Sequence, residues 1–189
     1  MNVGVLALQG AFIEHEKTLR ELGANAVEVR LPQQLDNLDA LIIPGGESTT
    51  IGKLAVTFKL LEPLRAFAQT RPVWGTCAGM IMLARDIGRD QPLIGVMDIQ
   101  VDRNAFGRQI DSFETDLTVP DLGSDPFHAV FIRAPLVTGV GEGVQILARL
   151  ADGGIVAVRE RHWLATAFHP ELTPDSRFHR YFLEVVAGA

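Results

Sequence analysis

The chain has 189 residues, 47% of them hydrophobic and 21% charged, a size and balance that suit one soluble domain with a well-buried core spanning residues 1–189. Its net charge of −6, with 17 basic residues scattered rather than clustered, gives no electrostatic support to a phosphate-backbone partner, so no nucleic acid is expected. No run approaches the roughly 18 apolar residues of a membrane span, Met1 to Leu8 lacks the flanks of a signal peptide, and one cysteine suits a reducing, cytoplasmic setting with no membrane partner.

Val3 to Leu8 is a short continuous apolar run, as expected of a strand buried on both faces. Residues 11–22 follow with helical spacing: Phe12, Ile13, Leu19 and Leu22 on one side, Glu14, Glu16, Lys17 and Arg20 largely on the other. Gly23 is a plausible stop. Strands are predicted over 26–30 and 39–43, the second broken by Pro44-Gly45-Gly46. A helical stretch covers 49–69 with an interruption near Pro63. Residues 72–75 form the next strand and 78–87 the next helix. Beyond them, 95–102, 113–119, 128–133, 144–150, 154–159 and 163–168 read as short strands, and 175–187 as a closing amphipathic helix. The first half predicts a parallel sheet covered by helices, and the second an antiparallel extension. The expected fold is therefore three-layer α/β.

In open α/β sheets, sites form beyond the C-terminal ends of strands. Three loops occupy that position: Gln9-Gly10, Pro44-Gly45-Gly46-Glu47-Ser48-Thr49 and Gly75-Thr76-Cys77-Ala78-Gly79. The third carries the lone cysteine between a strand and a helix, in the glycine-x-nucleophile-x-glycine pattern of a nucleophile elbow. There a thiolate gains from the N–H groups and dipole of the following helix. A lone cysteine is otherwise a common core residue. The Gly-Gly turn exposes backbone N–H groups, and Ser48 or Thr49 can cap the next helix. It lacks the lysine and spacing of a P-loop, and beside a thiolate its N–H groups suit an oxyanion hole.

Five histidines are present. His15, His162 and His179 sit among charged neighbours and read as surface residues, and His128 precedes a strand without a clear role. His169 differs, because it ends the apolar run Trp163–Phe168 and precedes Pro170 and Glu171. In extended chain, residues i and i+2 share a side, so Glu171 can hold the His169 ring in one tautomer. Cys77, His169 and Glu171 then supply nucleophile, base and orienter.

With these residues the chain resembles the class I (triad) glutamine amidotransferases, and within them the glutaminase subunits of pyridoxal 5′-phosphate synthases. The elbow and His-Pro-Glu identify the superfamily. The specific similarity lies in Val3–Gly10, Gly45-Gly46-Glu47-Ser48-Thr49, Val101–Gln109 and Phe131-Ile132-Arg133-Ala134-Pro135. It runs along essentially the whole chain, without a departure at an expected catalytic position.

The resemblance implies a flavodoxin-like sheet and no cofactor. It implies hydrolysis of L-glutamine to glutamate and ammonia through a cysteine thioester. The ammonia would pass to a synthase subunit, in a hetero-oligomer, that builds pyridoxal 5′-phosphate from ribose 5-phosphate and glyceraldehyde 3-phosphate. By motif, Cys77, His169 and Glu171 are the triad, and the N–H groups of Gly46 and Ala78 are the oxyanion donors. Gly46, Glu47, Ser48, Arg103, Ile132 and Arg133 would line the glutamine site. Spacing does not decide which arginine takes the substrate α-carboxylate. The triad by itself would serve another ammonia acceptor, or a stand-alone cysteine hydrolase, equally well. The two adjacent glycines also make the Gly45-Gly46 peptide easy to rotate, so docking of the synthase is expected to set this turn.

Overall fold

A computed structural model describes residues 1–105 and 112–188. The part of the Val101–Gln109 segment from Phe106 onward lies outside the described residues. The chain opens with β1 (Asn2–Leu6), α1 (Phe12–Glu21), β2 (Asn25–Val29), β3 (Ala40–Ile43), α2 (Ser48–Thr57), α3 (Leu61–Thr70), β4 (Val73–Thr76) and α4 (Ala78–Leu83). Short strands follow: β5 (Ala84–Asp86), β6 (Met97–Asp102), β7 (Ser112–Leu117), β8 (Phe127–Ile132), β9 (Leu136–Val140), β10 (Gln145–Arg149), β11 (Ile155–Glu160) and β12 (Trp163–Thr166). The chain then closes through α5 (Arg177–Tyr181) and a wider helical turn over Phe182–Val186.

The main sheet has the order β2-β1-β3-β4-β12-β11-β9-β6-β5, with β10 added on β11. From β2 to β12 every pairing is parallel, which is the 2-1-3-4-5 order of flavodoxin-like sheets if β12 takes the fifth place. Beyond β12 the sheet turns antiparallel through β11, β9 and β6. β7 and β8 form a separate two-stranded ribbon. The three-layer, mostly parallel reading with an antiparallel extension therefore describes the sheet. The strands β1, β3, β4 and β12 are apolar and buried almost throughout, because helices cover both faces.

Local differences from the sequence reading have physical causes. The break in the 49–69 stretch falls at Lys59, which adopts φ 56°, while Pro63 sits in the first turn of α3, where its missing N–H costs nothing. The helix after the elbow ends at Leu83, and Ala84–Asp86 pairs with β6 instead of continuing it. β9 is an additional strand, held by antiparallel pairing with β6 and β11 although Leu136–Val140 alternates in burial only weakly and carries a glycine. On α1, Leu19 is buried and Glu14, Lys17 and Arg20 are exposed as expected, but Ile13 is exposed while His15 and Glu16 are buried. The side of α1 that meets the sheet is partly polar, and it meets the candidate site.

Beneath the C-terminal strand ends lies an aromatic platform. Trp74 on β4 is fully buried and packs near Phe178 and Phe182, with ring centroids 6.4 and 5.6 Å away. Phe127, Phe168 and Phe178 pack mutually edge to face or tilted. Such packing makes the strand ends rigid and fixes where β4 and β12 deliver their last residues.

Candidate active site

β4 ends at Thr76, and Cys77 adopts φ 50°, ψ −104° before α4 begins at Ala78. For a residue with a β-carbon this backbone is strained. It is held by Cys77 N–H donating to the Thr166 carbonyl at 2.8 Å. The close approach also explains Gly79: a β-carbon there would fall on the Ile43 carbonyl oxygen. The elbow thus needs glycine for space rather than for an unusual backbone angle.

His169 follows β12, its N–H donating to the Val130 carbonyl at 2.8 Å. Its Nδ1 lies 2.7 Å from Glu171 Oε1, and the ring hydrogen-bonds Cys77. His169 and Glu171 are each only 7% exposed. The i, i+2 contact forms, but not from extended chain: Pro170–Leu172 is a single 3-10 turn, and the turn brings the carboxylate under the ring. Burial works against a charged His169, yet the hydrogen bonds and charges of Cys77 and Glu171 raise it to about 10. Burial likewise opposes the Glu171 charge, but His15 and His169 hold its carboxyl below the usual range. The geometry therefore favours an imidazolium held between the Cys77 sulfur and a carboxylate.

A pocket of about 290 Å³ opens over Cys77, lined also by Gly46, Glu47, Ser48, Ala78, Arg103, Ile132, Arg133 and His169. All ten residues singled out in the sequence except Glu171 line it, and Glu171 lies behind His169. The lining adds Gln9, Ile81 and Asn104. Gln9 Oε1 accepts the Glu47 N–H at 2.7 Å and lies where a β-carbon on Gly46 would be. The Gly45 carbonyl accepts the Ala11 N–H at 3.2 Å, so the Gly45-Gly46 peptide plane is set by the loop after β1. A β-carbon on Gly45 would meet the His169 ring, so turn and base are in direct contact.

The cap of α2 is Glu47 rather than Ser48 or Thr49. Its carboxylate accepts the N–H groups of Thr49 and Thr50 at 3.0 and 2.8 Å and the Thr50 hydroxyl at 2.7 Å. Burial resists this charge, but the hydrogen bonds from Thr50 and Thr49 bring its carboxyl down to about 2. Ser48 Oγ is buried without a hydrogen-bond partner among the described residues. Arg103 donates to Glu47 Oε1 at 3.0 Å and to Thr49 and Gln91 at 3.3 and 3.2 Å. Arg133 has φ 43°, and among the described residues no side chain pairs with its guanidinium. Cys77 Sγ lies 3.8 Å from the Ile132 carbonyl oxygen.

The histidines expected at the surface divide. His15 and His179 are fully buried, 0% exposed, and form a chain behind Glu171. His162 is half-buried and bonds the Ala68 carbonyl at 3.0 Å. His128 lies within β8 between Asp116 and Glu114, each 2.9 Å away, and the two carboxylates raise it. Among the described residues no cluster suits a metal ion, and no helix is long and apolar enough to cross a membrane.

Residues 5–188 match the SNO glutamine amidotransferase family. A protein of Herpetosiphon aurantiacus, "Pyridoxal 5′-phosphate synthase subunit PdxT", is 63% identical over 188 residues, 97% of this chain and 99% of the relative. One of the same name from Pelotomaculum thermopropionicum is 61% identical over 186 residues, 97% and 94% of the two chains. Among solved structures, one described as a glutamine amidotransferase superposes with a TM-score of 0.92 at 54% identity, covering 99% of each chain. A putative GMP synthase subunit of Thermoplasma acidophilum superposes at 0.69 with 19% identity, over 100% of this chain and 94% of that one, and shares the fold.

Proposed function

This chain belongs to the SNO glutamine amidotransferase family, and from that premise we propose how its residues carry out the glutaminase reaction that supplies ammonia for pyridoxal 5′-phosphate synthesis. The relatives at 63% and 61% identity are named as subunits of pyridoxal 5′-phosphate synthase, and the chain spans nearly their whole length. It is the glutaminase subunit: it hydrolyses L-glutamine to L-glutamate and ammonia. The ammonia goes to a synthase subunit, in a hetero-oligomer, that combines ribose 5-phosphate and glyceraldehyde 3-phosphate. We read residues 1–189 as one catalytic domain, since nearly all the buried apolar residues among those described fall in one cluster. A cytoplasmic setting suits a free thiol nucleophile.

The observation that carries the assignment of roles is the contiguous chain Cys77, His169, Glu171, with the 2.7 Å contact between the last two and a pocket open at the sulfur. In this reading Cys77 thiolate attacks the side-chain amide carbon of glutamine, and the carbonyl oxygen becomes an oxyanion. The N–H groups of Gly46 and Ala78 receive that charge; one such donor is worth about 3 kcal/mol of barrier. The intermediate collapses as His169 Nε2 gives its proton to the leaving nitrogen, and ammonia departs from a glutamyl thioester. His169, now neutral, takes a proton from water, which attacks the thioester and releases glutamate.

Glu171 accepts from His169 Nδ1–H throughout and keeps Nε2 facing the sulfur. Arg103 is engaged with Glu47, Thr49 and Gln91, which leaves Arg133 to take the substrate α-carboxylate in a fork. Buried Ser48 Oγ, at the pocket wall, is available to the substrate. No cofactor enters these steps. The test is ammonia release with and without the synthase subunit, wild type against Cys77→Ala. Equal release by the variant would refute the triad, and equal turnover with and without the synthase would refute control through the Gly45-Gly46 turn.

A further inference from the structure

The roles given to Cys77, His169 and Glu171 leave two fully buried histidines unused. His15, on α1, places Nε2 3.3 Å from Glu171 Oε2 and 3.2 Å from Thr76 Oγ1. Its Nδ1 lies 2.9 Å from His179 Nε2 on α5. His179 in turn meets the edge of Trp74, ring centroids 4.9 Å apart, and its Nδ1 has no hydrogen-bond partner among the described residues. Apart from the approach of His15, the buried Glu171 Oε2 also has none.

These contacts select one arrangement of protons. If His15 carried its hydrogen on Nδ1, its Nε2 lone pair would face a buried carboxylate oxygen, two acceptors in contact in a medium of low dielectric. With the hydrogen on Nε2, His15 donates toward Glu171 Oε2 and Thr76 Oγ1, and its Nδ1 must accept. His179 then donates from Nε2 and is left with a bare Nδ1 lone pair, which costs less to bury than an unpaired N–H. Burial lowers both histidines below their ordinary range, so each is neutral and has one hydrogen to place. The other ionisable groups acting on His15 are Glu171 and His169, from the segment after β12, and Glu14 on α1 itself.

We infer that His15, fixed in its Nε2–H form by His179, is a positioning residue of the active site: it anchors the rear oxygen of Glu171 and through it the ring of His169. Donation then runs from His179 to His15 to Glu171 and is met there by the opposite donation from His169 Nδ1–H, so the carboxylate is held from both sides and each imidazole is left with one tautomer. The same His15 nitrogen touches Thr76, the residue before the nucleophile, so α1 braces both halves of the triad. The inference rests on the triad reading above, and its test includes a measurement that needs no glutaminase activity.

Long-range ¹H–¹⁵N correlation spectra of the imidazole rings in the full chain report tautomers directly. His15 and His179 should both carry hydrogen on Nε2; hydrogen on His15 Nδ1 would overturn the inference whatever the enzyme's substrate. The kinetic arm uses two variants in the assembled complex, His15→Met and His15→Gln, the second keeping an amide N–H near the position of Nε2. Removing an outer partner of an active-site group costs roughly 10- to 100-fold in activity. His15→Met should lose that much in kcat with KM unchanged, and the acid limb of Cys77 alkylation by iodoacetamide should move to higher pH. His15→Gln should recover most of both. Equal losses in the two variants, or a loss of kcat with an unmoved alkylation profile, would reduce His15 to packing and refute the positioning role.

Discussion

Replacing Cys77 by alanine and by glycine separates the chemistry of the elbow from its strain. At φ 50°, ψ −104° the residue lies outside the regions open to side chains with a β-carbon, a state that costs about 1–3 kcal/mol. Alanine keeps the β-carbon and therefore the strain; glycine removes it. At an ordinary position glycine is the less stable of the two by roughly 0.5–1 kcal/mol, through its greater freedom when unfolded. Subtracting that from a mid-range strain of about 2 kcal/mol leaves Cys77→Gly more stable than Cys77→Ala by about 1 kcal/mol. For a domain of this size that is about 2–4 °C in Tm, readable by circular dichroism or calorimetry. Both variants should fail to release ammonia from glutamine. A Cys77→Gly protein that melts below Cys77→Ala would show an unstrained elbow, and the account of how the nucleophile is presented would fall with it.

Other consequences are open to measurement. Arg133→Ala should raise KM for glutamine by roughly 10- to 100-fold with little change in kcat, since a hydrogen-bonded charge is worth about 1.5–3 kcal/mol; an unchanged KM would point to Arg103 instead. Glu47→Gln should lose roughly 1 kcal/mol of stability through the α2 cap and loosen Arg103, and an unaltered urea midpoint would contradict the capping role. His169 is raised from 6.5 to about 10, so its charge contributes stability that is full below the lower value and lost as pH rises through the upper one. The urea midpoint of the wild type should therefore fall more between neutral pH and about pH 10 than that of His169→Gln, and parallel curves would refute the ion pair.

Much of this architecture was legible in the chain because its parallel strands are continuous apolar runs and its turns are marked by glycine and proline. β1, β3, β4 and β12 fall where their runs predict, and the elbow where Gly75 and Gly79 flank Cys77. Strands β5 and β9 escaped because three residues following a helix, or a weakly alternating stretch with a glycine, carry little periodic signal. Within the site, the Glu47 cap was hidden behind two better-known capping residues, Ser48 and Thr49. Gln9 was visible only as part of a strand-end loop; its bond to the Glu47 N–H depends on how two distant turns meet. His15 and His179 look like surface residues in sequence because their neighbours are charged. A hydropathy pattern does not distinguish a solvated polar face from a polar face turned toward a buried carboxylate, and α1 is of the second kind.

The central claim is that amide nitrogen released at Cys77 feeds the synthase. Glutamine labelled with ¹⁵N at the side-chain amide, given to the reconstituted complex with ribose 5-phosphate and glyceraldehyde 3-phosphate, tests it most directly. The wild-type complex should give labelled pyridoxal 5′-phosphate and a Cys77→Ala complex none, though the variant complex should still make the product from added ammonia. Labelled product from the Cys77→Ala complex, or its absence from the wild type, would contradict the account.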